Sequence, residues 1–263
     1  MTIALSGVPA IAAQDRAANA VVVASGKGGV GKTWLAITLA HAWADRGRRT
    51  LLVDGDLGLA NVDIQLGVAP AHDLQAVLAG RLPLKSAVAR LDATGFDLIA
   101  GRSGSGSLAS IAAERVMELR RAIVGLAAGY DVVVLDLAAG IDRNVRILAG
   151  TGARLAVVLT ADPTSLTDAY ASIKVMARDG DGPSPSVVVN MAGTEAEGRR
   201  TYDALRAVCS RYLGFEPPLA GIVRQDPRVT EAIRAQEPLL RRSPNCRAAE
   251  DVLELAQRLA PPV

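Results

Sequence analysis

The chain has 263 residues, half of them apolar and 3% aromatic, with 29 Lys and Arg against 27 Asp and Glu. That length and apolar content suffice for one full core, so one domain is expected. The near-neutral balance offers no basic block for nucleic acid, and the two cysteines, Cys209 and Cys246, form no metal or redox spacing. No run of about 18 apolar residues could cross a bilayer.

Residues 1–19 read as a small, Ala-rich leader that lacks the basic start of a signal peptide, and 20–263 as the folded domain. Ala20–Ser25 (AVVVAS) is a continuous apolar run ended by glycine, as in a buried parallel strand. A helical stretch follows from Thr33 to Arg46, then a second buried strand at Thr50–Asp54. Further strands are expected at Phe96–Ala100, Asp131–Asp136 (DVVVLD), Arg154–Thr160, Ser186–Asn190 and Leu219–Val223. Helical stretches separate most of them, at Leu108–Ala127, Ser165–Ala177, Thr194–Tyr212 and Pro227–Ala235, and Asp179–Pro185 reads as a surface loop. This alternation predicts an α/β fold, a doubly wound and mainly parallel sheet with helices on both faces. Ligands bind such sheets beyond the carboxyl ends of the strands.

The last predicted helix, Arg247–Leu259, carries Val252, Leu255, Ala256 and Leu259 at helical spacing. Its charged residues are two arginines against three acids, which gives anionic lipid little to attract, and only residues 260–263 follow it. It is expected to pack on the sheet, with membrane contact weak or mediated by a partner.

The chemistry gathers after the strands. Gly26-Lys27-Gly28-Gly29-Val30-Gly31-Lys32-Thr33 fits GxxxxGK[ST] between a predicted strand and a predicted helix. Backbone N–H groups of such a loop curl around phosphate oxygens, and the helix N-terminus adds unpaired donors. Lys32 is expected on the β- and γ-phosphates of ATP and the Thr33 hydroxyl on Mg²⁺. Only four lysines stand against 25 arginines in the whole chain, and two of the four are in this loop. After the second strand come Asp54 and Asp56, where a carboxylate can position Mg²⁺ or a water, and DVVVLD ends in Asp136, a Walker B pattern that holds Mg²⁺. Asn190 ends a strand and Asp226 follows the last one; both also suit a turn or a helix N-cap.

Lys27 is surplus to a simple phosphate loop. The run KGGVGKT at Lys27–Thr33 resembles the deviant Walker A loop of the MinD/ParA ATPases. That resemblance implies a P-loop ATPase whose early lysine, Lys27, reaches the partner subunit's nucleotide in an ATP-bound homodimer. It further implies that Asp56 orients the attacking water, that Gly140 offers a backbone N–H to the γ-phosphate, and that Asn190 and Asp226 recognise adenine. The chain departs from the family pattern at Leu137, where Thr or Ser is usual, and at Arg224, where Pro is usual. Three runs, Asp56–Gly67, Ala100–Gly106 and Asp162–Lys174, are similar to the flagellar-number branch of that family (FlhG/FleN), with Ser165 and Asp168 also forming a capping box. The branch implies a cytoplasmic switch, transient at the membrane or cell pole, that works with an SRP-type GTPase (FlhF) or an enhancer-binding transcription activator. The branch's activating N-terminal segment, DQAxxLR, has its nearest match in Gln14–Ala18, without the Leu-Arg end. The alternatives are a division-site or partition ATPase and a non-hydrolysing ATP-binding module.

Overall fold

In the computed structural model, residues 16–101, 111–178, 183 and 185–262 are described. The apolar runs become strands because both of their faces find a core. β1 (Ala17–Ser25), β2 (Thr50–Gly55), β4 (Phe96–Ile99), β5 (Val132–Ala139), β6 (Gly152–Leu159), β7 (Pro185–Ala192) and β8 (Leu219–Arg224) run parallel, and the short β3 (Ala89–Leu91) pairs antiparallel with β4 at one edge. The order is β3-β4-β2-β5-β1-β6-β7-β8. β1 therefore lies centrally between β5 and β6, and the chain reverses its winding on either side of it. The loop after β1 thus opens at the switch point where such sheets bind ligands.

Alternate residues of β1 feed two cores. Val22 and Ala24 face α4 (Ala113–Ala127), α5 (Arg143–Ala149), α6 (Pro163–Arg178) and α7 (Glu195–Leu213). Val21 and Val23 face α1 (Lys32–Ala44), the short α2 (Val62–Leu66), α8 (Pro227–Ala235), α9 (Leu239–Arg242) and α10 (Arg247–Leu259). Among the described residues, one further short helix, α3 (Leu74–Leu78), and a 3-10 turn at Leu84–Ala87 lead into β3. α1 is apolar on nearly every side because it is covered on nearly every side; Trp43 donates its indole N–H to the Ala256 carbonyl of α10 at 3.1 Å.

Several sequence expectations shift. β1 begins at Ala17, three residues early, because Ala17 N–H bonds the Thr151 carbonyl and the Asn19 amide bonds the carbonyls of Ala127 and Tyr130. Ala17 and Ala18, expected in the leader and in the degenerate activating segment, are therefore part of the central strand. The capping box at Ser165 and Asp168 is not formed. α6 starts earlier, at Pro163, the Asp162 carboxylate takes the Thr164 N–H at 2.7 Å, and buried Ser165 instead accepts the Thr160 N–H. β5 runs on to Ala139 and β7 to Ala192. α2, α3, α5, α9 and β3 were not expected, since pieces of three to seven residues carry too few repeats to show a period. The loop Asp179–Pro185 and most of the Ala100–Gly106 run lie outside the described residues.

Candidate nucleotide site

The loop Gly26–Thr33 turns from β1 into α1, and two glycines make the turn possible. A Cβ on Gly26 would stand 2.2 Å from the Asp168 carbonyl oxygen. Gly31 has φ +83°, and a Cβ there would stand 2.5 Å from Asn190 Nδ2. α1 begins at Lys32 with no side-chain cap, so its first N–H groups are presented to the loop.

Lys32, Asp54 and Asp136 are drawn together beneath this loop. Asp54 and Asp136 stand opposite each other in register on β2 and β5. Burial raises the Asp136 pKa to about 8, helped by the Asp54 charge and opposed by the Thr33 hydroxyl and the Lys32 ammonium. One Asp136 oxygen, Oδ1, is buried without a hydrogen-bond partner. Burial likewise lifts Asp54 to about 7, against the pull of the backbone N–H groups of Val62, Asp56 and Asn61. Those three bonds, at 3.1–3.2 Å, fasten the start of α2 to the end of β2. Lys32 is buried too; desolvation lowers its pKa while Asp136 and Asp56 pull it back up. Half-buried Asp56 accepts the N–H groups of Gly58 and Leu59, which holds the following loop at the rim.

Two cavities meet here. One of about 770 Å³ is lined by Gly29, Lys32, Thr33, Asp56 and Ala139. Another of about 650 Å³ is lined by Asn190, Met191, Arg224 and Asp226. Trp34 lines both. Their combined size and shape suit a ligand with a charged end in the first and a planar end in the second.

The other expected residues are placed differently from one another. Lys27 is turned away onto the start of α6, with Nζ 3.0 Å from Asp162 Oδ2 and bonded to the Thr164 hydroxyl. The Thr164 hydroxyl, the Lys27 ammonium and the Thr164 N–H hold the Asp162 pKa down at about 2. Gly140 has φ +107° and donates its N–H to the Ser25 carbonyl at 2.9 Å, so that N–H is committed to β1 and not open toward a phosphate. Asn190 donates to the Val30 carbonyl at 2.8 Å and braces the phosphate loop from β7. Asp226 caps α8 through the Arg228 N–H at 3.0 Å and also accepts backbone N–H groups of Arg247 and Ala248, so its carboxylate is spent on two helix starts. The cap reading of Asp226 is the one the structure forms.

Sequence reasoning missed Trp34, Met191 and the role of Asp162 and Thr164. Met191 has φ +56°, a strained setting for a methionine, beside Gly31. No one-dimensional signal marks it. Trp34 had a signal, being one of two tryptophans in the chain and the residue directly after the Lys-Thr of the loop.

Residues 21–239 match the family described as CobQ/CobB/MinD/ParA nucleotide binding domain. The chain belongs to this family. Antiactivator FleN of Pseudomonas aeruginosa is 36% identical to it over 239 residues, 91% of this chain and 85% of FleN. Flagellum site-determining protein YlxH of Helicobacter pylori is 28% identical over 237 residues, 90% of this chain and 80% of its own. The cell division ATPase MinD of Pyrococcus furiosus superposes with a TM-score of 0.78 at 25% identity, covering 92% of this chain and 98% of that one. The chain is a MinD/ParA-family ATPase with the MinD-like P-loop fold.

Both departures from the MinD/ParA pattern have a structural explanation. Leu137 is buried in the core above Gly55, where its Cδ2 would stand 3.0 Å from a Cβ, so this position fills space and offers no hydroxyl. Arg224 grips Asp251 of α10 through its backbone N–H and its guanidinium at 2.7–3.1 Å, a tie that sets the end of β8 where proline would have stiffened it. The family's divalent ion also has a place. Among the described residues no three His, Cys, Asp or Glu side chains gather into a metal cage. The Thr33 hydroxyl bonded to Asp136, the orphaned Asp136 oxygen and the facing Asp54 instead fit Mg²⁺, which takes few protein oxygens and completes its shell with phosphates and water.

Proposed function

We propose that this ATPase is a dimerising switch of the flagellar branch, with residues 20–263 as one ATPase domain, regulating the number or placement of flagella. The observation that carries the reading is the 36% identity with Antiactivator FleN over 91% of the chain. The printed name of that relative supports an enhancer-binding transcription activator as a partner, and an FlhF-type GTPase is the second partner we propose. The chain would act in the cytoplasm and visit the membrane or cell pole through a partner; among the described residues no helix is long and apolar enough to cross a membrane.

The mechanism follows from the residues. Loop N–H groups from Gly28 to Thr33 and the Lys32 ammonium bind the β- and γ-phosphates, and burial strengthens that attraction. Thr33 and Asp136, with Asp56 nearby, would hold Mg²⁺, which supplies charge neutralisation on the phosphate oxygens. Asp56 orients the attacking water from the rim of the cleft. The adenine lies in the second cavity beside Asn190 and near Asp226. Gly140 reaches a γ-phosphate only by letting go of the Ser25 carbonyl, and Lys27 reaches a partner's nucleotide only by leaving Asp162 and Thr164. Each release exchanges a bond inside one subunit for one to nucleotide, so ATP shifts the balance between two arrangements. Exposed Leu59 and Ile141 flank the cleft and would be covered in the dimer.

Light scattering with and without ATP tests the switch: the chain is expected to dimerise with ATP, and Lys27→Ala to bind ATP yet stay monomeric. A normal ATP-dependent dimer in Lys27→Ala removes the trans role. Deleting the gene is expected to change the number or position of flagella per cell, and an unchanged pattern overturns the flagellar reading.

A further inference from the structure

Trp34 is the residue shared by the two cavities of the nucleotide site. It lies in the first turn of α1, two residues after Lys32, and is 6% exposed among the buried residues of the core that includes Val30 and Ile37. Its indole nitrogen is buried and has no hydrogen-bond partner. The chain's other tryptophan, Trp43, is equally enclosed, and its indole N–H is satisfied by the Ala256 carbonyl. A buried donor without an acceptor is uncommon in folded proteins and asks for a cause. An indole can only donate, so whatever answers it must be an acceptor.

We infer that Trp34 is a nucleotide-binding residue whose indole packs against the ribose at the joint between the two cavities and donates its N–H to a ribose oxygen. The inference rests on the nucleotide site proposed above and adds a contact to it. The phosphates already have donors in the loop N–H groups and Lys32. The base end is bordered by Asn190 and Asp226. The sugar, which joins the two, offers only oxygens toward such a wall, and they match a donor with no partner of its own. An indole face also covers the apolar edge of a sugar ring.

Trp34→Phe tests this, because it keeps an aromatic wall and removes only the N–H. The N–H has no partner in the nucleotide-free chain, so the thermal midpoint of the free protein is expected to stay where it was. Affinity for ADP is expected to fall about tenfold, as for one lost hydrogen bond in a closed site. Affinity for inorganic tripolyphosphate, which has no sugar, is expected to be unchanged. Indole emission of the wild-type chain should change on adding ADP, and that change should be lost in Trp34→Phe. Equal ADP affinity in the two proteins overturns the inference, as does equal weakening toward ADP and tripolyphosphate. A clear drop in the midpoint of the free variant would make the N–H structural and overturn it as well. A wild-type chain that binds neither ADP nor tripolyphosphate would instead overturn the nucleotide site itself.

Discussion

At the scale of single residues, the site works by enclosing charge. Lys32 sits buried between Asp136 and Asp56, and the two strand-end carboxyls Asp54 and Asp136 are both pushed toward neutral pH. A cation and a phosphate chain entering together would complement all of these groups, which is why none can be removed cheaply. Lys32→Ala is expected to abolish ATP turnover, and unchanged affinity and turnover would sink the phosphate-loop assignment. Asp56→Ala is expected to bind ATP normally, slow hydrolysis at least tenfold and accumulate as dimer, because Asp56 borders the cleft while the phosphate donors lie elsewhere. Turnover at the wild-type rate would make Asp56 a loop-holding residue through Gly58 and Leu59 alone. Asp162 works in the opposite sense. Its carboxyl is held at about 2, so its tie to Lys27 is complete above the usual carboxylate range and is lost only as pH falls through that depressed value. Near neutral pH the tie does not titrate, and only nucleotide or a partner can release Lys27. The phosphate-loop residues were legible in sequence because backbone geometry requires their spacing. The resting place of Lys27 was not, because Asp162 and Thr164 lie more than 130 positions away and nothing local signals the approach.

At the scale of elements, the site is held in place by ties between helix starts and strand ends. Asp54 fastens α2 to β2, Asn190 fastens the phosphate loop to β7, and Asp226 fastens α8 and α10 to the end of β8. Arg224 adds a fourth tie, and its partner Asp251 has only 11% of its side chain exposed. An arginine a third exposed gives up part of its attraction to solvent, so removing it costs about 1–2 kcal/mol, mostly for the stranded carboxylate. Arg224→Ala should therefore lower the thermal midpoint by roughly 2–8 °C for a chain of this size. A midpoint within 1 °C of the wild type, to take a rough threshold, would show that Asp251 finds solvent without help. The long helices were legible because 13 to 19 residues repeat a face several times. α5 and α2 were not, since their starts are decided by neighbours such as Asp54 that approach from other elements.

At the scale of the molecule, the question is whether α10 is free to meet a membrane. Its apolar face, with Val252, Leu255, Ala256 and Leu259, is buried against the core. On its other face Asp251 is held by Arg224, and Arg258 pairs with Glu254 and donates to the Ala220 carbonyl. Burying Val252, Leu255 and Leu259 is worth roughly 5–9 kcal/mol, comparable with the whole net stability of about 5–15 kcal/mol expected of a domain. Releasing α10 onto lipid would cost the fold most of what holds it. The chain is expected not to co-sediment with anionic vesicles, with or without ATP, and deletion of residues 246–263 is expected to abolish the cooperative thermal transition. ATP-dependent co-sedimentation that disappears on this deletion, with the shortened protein still folded, would overturn the expectation.

Sequence by itself determined the class of sheet, the phosphate loop, the two strand-end carboxylates and the family. These depend on local spacing: apolar runs long enough to be buried on both faces, and glycines where the backbone must turn tightly around phosphate. Tertiary structure alone decided which expected residues are free to act. It committed Asp226 to capping, Gly140 to the Ser25 carbonyl and Lys27 to Asp162, and it left the Trp34 donor without a partner. The physical reason is that a polar group's partner is set by which strands and helices are brought side by side, and that distance through space has no counterpart along the chain.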